Sequence, residues 1–171
     1  DMHQTGTASS GRVLQNIHSS IVTVDANLKV IPGLAESFEV APDGLTYTFR
    51  LRPNVKFHNG ATMTSADVKY SFERVKDPAT GAVNFEVFNN VAAIETPDDL
   101  TVVIRMSAVN APFLSRLAEN GAGVIMPVDS GPTQGTNPLG AGPFKFDSYE
   151  VGTVVKMSRF DDYWEGPAFL D

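Results

Sequence analysis

A strict alternation of apolar and polar side chains over residues 45–52 constrains the fold of this chain more than any other feature. The apolar set is Leu45, Tyr47, Phe49 and Leu51, and the polar set between them is Thr46, Thr48, Arg50 and Arg52. This period of two is that of a β-strand with one buried face and one face in water. The arginines are expected on the face in water. Pro42-Asp43-Gly44 predicts the preceding turn, and Phe38 and Val40 predict the antiparallel partner strand.

Helices are predicted where apolar residues recur at three- and four-residue spacing. We predict three, over roughly 9–20, from Thr64-Ser65-Ala66-Asp67 to Asp77-Pro78, and from Asn110-Ala111-Pro112 to Asn120-Gly121. The second begins with a capping box, in which Asp67 replaces the usual Glu. It ends where a proline disfavours helical geometry in the residue before it.

The remaining regular segments are short strands separated by turns. They are predicted at 22–25 paired with 29–31, at 101–106, at 124–126, and at 144–149 paired with 154–158. Residues 127–143 are rich in Gly and Pro and predict a loop without a helix. Because hairpin-like connections dominate, the pattern favours an α+β fold over a doubly wound parallel sheet.

Composition limits the classes of function. The 171 residues suffice for one domain, or one domain and a fragment of another. Cysteine is absent, which excludes disulfides, thiolate zinc sites and cysteine nucleophiles. The net charge of −7 is a poor match for nucleic acid or anionic lipid. No stretch approaches the about 20 apolar residues of a membrane span, so we expect no membrane insertion.

No pattern indicates catalysis, a metal or a cofactor. His3, His18 and His58 lack the short spacing of metal ligands. The paired acids Asp98-Asp99 and Asp161-Asp162 are adjacent in sequence, so their side chains diverge and form no acid–base dyad. The two Gly-Ala-Gly runs lack the Lys and Ser/Thr of a phosphate loop. We therefore expect no catalytic residues, metal or cofactor.

The run from Pro32 to Pro78 resembles the family 5 extracellular solute-binding proteins, which serve ABC importers for dipeptides, oligopeptides or nickel. The matching positions are Ala35, Asp43, Thr46-Tyr47, Phe49, Leu51-Arg52, Asn54-Val55, Phe57-His58 and Asn59-Gly60. Asp1-Met2-His3 is similar to the family's Asp-Pro-His segment, with Met in place of Pro. The resemblance extends over essentially the whole chain.

This resemblance implies a fold like that of type II periplasmic binding proteins, in which two lobes close on a ligand. The chain would correspond mainly to an extra inserted domain of antiparallel strands and packed helices, cut at both ends from a longer protein. The implied divisions are 1–12, a flanking piece of the first lobe; 13–137, the inserted domain; and 138–171, a return segment toward the first lobe. The chain would then act as scaffold and cleft wall, with an incomplete ligand site.

The resemblance also implies ligand-binding residues and a location. These residues are Gly6, Thr7 and Ala8, which would run along a bound peptide, together with Asn84, Phe85 and Asn120. The parent would work in the periplasm or outside the cell, with a peptide or other small solute and an ABC permease as partners. Peptide, nickel chelate, opine and oligosaccharide all remain open as ligands. An alternative is an interaction module that docks a permease or chemoreceptor, which an exposed apolar patch without a cleft would favour.

Overall fold

Within residues 1–119 and 121–170, which the computed structural model describes, the chain forms three α-helices and eight β-strands. The helices are α1 (Ala8–Ile17), α2 (Ser65–Lys76) and α3 (Phe113–Ala118). The strands are β1 (Val22–Val24), β2 (Val30–Pro32), β3 (Ala35–Val40), β4 (Thr46–Leu51), β5 (Val91–Asp98), β6 (Thr101–Met106), β7 (Phe144–Glu150) and β8 (Val154–Arg159). Short 3-10 turns occupy Pro78–Thr80, Phe85–Phe88 and Gly131–Thr133.

A four-stranded antiparallel sheet in the order β3-β4-β6-β5 forms the centre of the structure. Tyr47, Phe49 and Leu51 of β4 are buried, as the alternation predicts. The expectation that both arginines lie in water is wrong for Arg52. Its Nε donates to the Gly33 carbonyl (2.7 Å), and its guanidinium lies 4.9 Å from the centre of the Trp164 ring. This cation–π contact ties the end of the chain to the sheet.

Helix α2 begins and ends where its sequence predicts. The Thr64 backbone N–H and hydroxyl both donate to Asp67 Oδ2, at 2.8 and 3.1 Å, which stabilises the first turn. Val68, Phe72 and Val75 are fully buried along one face of the helix. This face joins the main core, so α2 is held firmly against the rest of the structure.

Aromatic side chains connect the helices with the sheet in that core. The Phe88 ring lies 5.1 Å from the ring of Phe72 on α2 and 6.1 Å from that of Phe113 on α3. Phe113 in turn makes an edge contact with Tyr47 of β4 at 5.0 Å. The 3-10 turn that carries Phe88 is thereby fixed against α2 and α3, and α3 against β4.

Three sequence predictions need correction. Helix α1 spans Ala8–Ile17 rather than 9–20, because His18 adopts extended geometry. Residues 124–126 form no strand, only an isolated bridge between Ser20 and Val124. Pro127 follows this run and has no N–H with which to extend a ladder. Strand β5 was not predicted, because its Pro97 suggested a turn; the strand lies at the edge of the sheet, where proline is tolerated.

The hairpins and the long loop agree with the predictions. Strands β1 and β2 pair as one hairpin, and β7 and β8 pair as another. Residues 127–143 form a loop whose regular structure is the 3-10 turn at Gly131–Thr133. Asp98 Oδ1 accepts the Leu100 N–H (2.9 Å), so the paired acids at 98–99 belong to a turn.

Candidate functional site

The segment that leads into α1 leaves the first turn of this helix open. Thr7 is the N-cap residue with extended geometry, and its side chain makes no capping hydrogen bond. The first N–H groups of any α-helix lack acceptors within the helix. Gly6, Thr7 and Ala8 are all exposed, so a ligand can reach this end of α1.

A cavity of about 340 Å³ lies beside this helix end. Its lining residues are Met2, Thr5, Gly6, Thr7, Ala8, Gly11, Gln15, Val83 and Asn84. Four of the six predicted ligand residues, Gly6, Thr7, Ala8 and Asn84, therefore converge on one cavity, although about 75 positions separate the two groups in the sequence.

Hydrogen bonds between two distant segments hold the walls of this cavity together. The Val83 N–H donates to the His3 carbonyl (3.0 Å), and Gln4 Nε2 donates to the Thr80 carbonyl (2.6 Å). A side chain added at Gly6 would touch Val83 Cγ1 at 3.8 Å. The segment before α1 and the segment after α2 thus form two fixed sides.

A buried cluster of Asp1, His3 and Arg74 lies behind the first wall. The Arg74 guanidinium donates to both carboxylate oxygens of Asp1 and to His3 Nδ1 (2.9 Å). Because Arg74 is always a donor, His3 Nδ1 accepts and Nε2 carries the proton that it donates to the Val124 carbonyl (3.1 Å). Burial lowers the pKa of His3 to about 4, which keeps this neutral form at neutral pH.

Among the residues that the structure describes, no ionisable side chain lines the cavity. The polar groups it offers are the hydroxyls of Thr5 and Thr7, the amides of Gln15 and Asn84, and backbone groups. Such groups bind by hydrogen bonding and shape, and none of them is a general acid or base at neutral pH. The arrangement is therefore suited to holding a solute without transforming it.

The other two predicted residues are Phe85 and Asn120. Phe85 is next to Asn84 and 40% exposed, but it is not among the lining residues. Asn120 lies outside the described residues. Sequence reasoning missed Gly11 and Gln15, although their spacing from Ala8 places all three on one face of α1. It had no signal for Val83.

The three histidines lie near one another, with His18 in the middle. Burial, followed by the nearby His3 and His58, lowers the pKa of His18 to about 3. Neither ring nitrogen of His18 has a hydrogen-bond partner among the described residues. His58 Nε2 donates to the Gly142 carbonyl (2.9 Å), and its ring contacts Phe160 at 4.9 Å. Across the same residues, no group of three or more His, Asp or Glu side chains is arranged to hold a metal.

A larger groove of about 630 Å³ lies on another side of α1. Its apolar lining includes Val13, Leu14 and Ile17 of α1 with Phe146, Tyr149 and Val155 of the β7–β8 hairpin. None of the five predicted ligand residues that the structure describes borders this groove. We place the candidate site in the smaller cavity, because the predicted residues converge there.

The family described as bacterial extracellular solute-binding proteins, family 5 Middle, matches residues 29–171. The chain belongs to this family. Its members are solute-binding transport proteins and not enzymes, in agreement with the absence of catalytic motifs. The similar solved structures also confirm the predicted α+β fold of type II periplasmic binding proteins.

Several similar proteins bind small solutes. The chain is 32% identical over 168 residues to the glutathione-binding protein GsiB of Pectobacterium atrosepticum, covering 96% of the chain and 33% of that protein. It superposes on AgaA of A. tumefaciens R10, solved with agropinic acid, with a TM-score of 0.86 and 38% identity over 95% of the chain and 34% of AgaA. It also superposes on DppA of Helicobacter pylori, solved with the peptide STSA. The TM-score is 0.87 and the identity is 28%, over 100% of the chain and 38% of DppA.

The chain thus spans about a third of the length of the relatives it matches. No helix in the described part of the chain is both long and apolar enough to cross a membrane.

Proposed function

We propose that this chain is part of a solute-binding protein that captures peptides, or a related small solute, for an ABC importer. It would act in the periplasm or outside the cell and hand its solute to the permease. Family membership supports the class of function. The proposed location of the site rests on the convergence of Gly6–Ala8 and Asn84 on one cavity, whose described lining residues are uncharged.

In this proposal the cavity wall binds the backbone of the solute. Extended peptide backbone offers alternating carbonyl and N–H groups, which the exposed backbone of Gly6–Ala8 can pair. The Asn84 amide lines the opposite side of the cavity and is a hydrogen-bonding group. Glutathione and the peptide STSA, the solutes of GsiB and DppA, both contain such backbone, which favours a peptide over a metal chelate or sugar.

The chain supplies one side of the ligand cleft. The described lining residues carry no charge that could neutralise the charged ends of a peptide, so those groups would come from elsewhere in the longer protein. We propose the division 1–12 as part of the first lobe, 13–137 as an inserted domain and 138–171 as the return toward the first lobe. Solute would be held when two lobes close around it.

The test compares the longer protein with this chain alone. Calorimetry with glutathione and the tetrapeptide Ser-Thr-Ser-Ala should show binding to the longer protein, and Asn84→Ala should weaken it about tenfold by removing a hydrogen-bonding group. Asn89→Ala, at the other end of the same 3-10 turn, is the matched control and should bind as wild type.

Two results would contradict the proposal. Micromolar peptide binding by the isolated chain would show that the site is complete without a second lobe. Failure of the longer protein to bind peptides, together with capture of a permease or chemoreceptor domain, would support the alternative interaction module.

A further inference from the structure

The geometry points to Arg74 as a positioning residue for the ligand-binding segment Gly6–Ala8. Arg74 does not line the cavity between that segment and Asn84. It acts through Asp1 and His3, which precede the segment in the chain. This inference rests on the proposed function, because it assumes that the cavity holds the solute.

Arg74 is itself held in place. It lies on α2, next in sequence to Val75 and two positions after Phe72, both fully buried in the main core. The capping box at Thr64 and Asp67 stabilises the start of the same helix. The guanidinium is thus a fixed point relative to the sheet.

From this point a continuous set of contacts leads to the cavity. Arg74 donates to Asp1 and to His3 Nδ1, and Asp1 Oδ1 also accepts the His3 N–H (3.0 Å). The His3 carbonyl then accepts the N–H of Val83, which lines the opposite wall. The segment that carries Gly6–Ala8 and the segment that carries Asn84 therefore meet at a residue that Arg74 orients.

The pair is well shielded from water. The side chains of Arg74 and Asp1 are only 11% and 5% exposed. Removing one partner of such a pair leaves a buried charge uncompensated, and the remaining charge moves toward water. Loss of Arg74 would accordingly release Asp1, and with it the backbone that fixes His3.

A nearby glycine leaves space for the guanidinium. A Cβ atom at Gly131 would approach Arg74 Nε to 2.8 Å and the Tyr70 hydroxyl to 2.7 Å. Gly131→Ala therefore offers a second way to displace Arg74 without altering its charge, and it displaces the Tyr70 hydroxyl on α2 as well. Because the displaced atoms are side-chain ends, we expect a smaller effect than that of removing Arg74.

The experiment uses the longer protein and two measurements on each variant. Dissociation constants for glutathione and Ser-Thr-Ser-Ala report solute binding, and hydrogen exchange without ligand reports the order of residues 3–8 and 83–84. We expect Arg74→Met to raise the dissociation constant about tenfold or more, because the released segment must be ordered again when the solute binds. Hydrogen exchange of residues 3–8 and 83–84 should also become faster. Gly131→Ala should raise the dissociation constant and the exchange rates by smaller amounts.

Two controls separate positioning from general stability. Arg105→Met removes a similar two-bond pair, with Glu95, that is about half exposed and lies on the sheet. Val75→Ala destabilises the core of α2 without touching Asp1 or His3. At temperatures where the variants are folded, both should bind solute as wild type does.

The inference is overturned if Arg74→Met leaves either the dissociation constant or exchange at residues 6–8 unchanged, or if Val75→Ala reproduces both effects. If wild type binds neither peptide, the proposed function fails and the role of Arg74 toward a solute fails with it. Exchange at residues 6–8 then shows separately whether Arg74 holds the segment.

Discussion

Two buried histidines, His3 and His18, and the partly buried His58 make the stability of this protein sensitive to mild acid. Burial is the largest cause that lowers the pKa of each, to about 4 for His3 and about 3 for His18, and below its usual value for His58. Arg74 faces His3 and Lys145 lies near His58, and both positive charges act in the same direction. The folded protein therefore holds these rings neutral at a pH where an unfolded chain would protonate them.

The sign follows from proton uptake. Below the ordinary pKa of about 6.5, the unfolded state binds more protons than the folded state, so stability falls as pH falls. Each ring contributes up to about 1.4 kcal/mol per pH unit. Urea unfolding between pH 6.5 and 5 should show this loss, and His18→Leu should reduce the slope by about one proton. An unchanged slope in His18→Leu would show that His18 does not stay neutral on folding.

Local sequence could not reveal the contacts that connect these residues. Gly6–Ala8 and Asn84 were predicted through family resemblance, and the structure brings them to one cavity. Asp1 and Arg74 are 73 positions apart and carry no spacing signal, so their pairing emerges only from the folded chain. The same holds for His3, His18 and His58, whose separation in sequence hid their proximity.

At the scale of elements, Asp67 of the α2 capping box accepts hydrogen bonds from two segments of the chain. One oxygen of Asp67 accepts from Thr64, and the other accepts the Val128 N–H (2.9 Å) from the loop after residue 126. Asp67→Ala should lower the free energy of unfolding by about 2 kcal/mol, since it removes a cap and leaves a partly buried N–H unpaired. Urea denaturation measures the loss.

The matched control is Asp99→Ala. The Asp99 side chain is exposed, and its backbone carbonyl, which accepts the Ser65 N–H, is unchanged by the substitution. We expect an effect within about 0.5 kcal/mol of zero. Equal losses in the two variants would contradict a special role for Asp67.

Elements with strong local signals could be predicted from sequence, and those that depend on neighbours could not. The alternation of β4 and the capping box of α2 each point to one structure. Strand β5 exists because β6 pairs with it, despite Pro97, whereas residues 124–126 lack a partner that extends beyond one bridge. Such pairing depends on tertiary contacts, so a short stretch of sequence gives little indication of it.

At the scale of the whole molecule, the central four-stranded sheet is better supported by pairing and burial than the β7–β8 hairpin. Strands β4 and β6 are paired on both sides and bury Phe49 and Ile104, whereas β7 and β8 form a two-stranded hairpin with Tyr149 59% exposed. Amides of β7 and β8 should exchange with solvent faster than those of β4 and β6, by about tenfold or more, because opening the hairpin exposes less core. Mass spectrometry of exchange measures this, and equal rates would show that the hairpin opens only with the whole structure.

Gly11 is a position at which a substitution can change the size of the candidate cavity. It lines the cavity from the middle of α1, and a Cβ atom built there would meet no other atom within 4 Å. Replacing a helical glycine by a residue with a side chain stabilises the helix, by about 0.5–1 kcal/mol for Ala. A side chain at position 11 can therefore narrow the cavity while stabilising α1, so at this position cavity size and stability are not opposed.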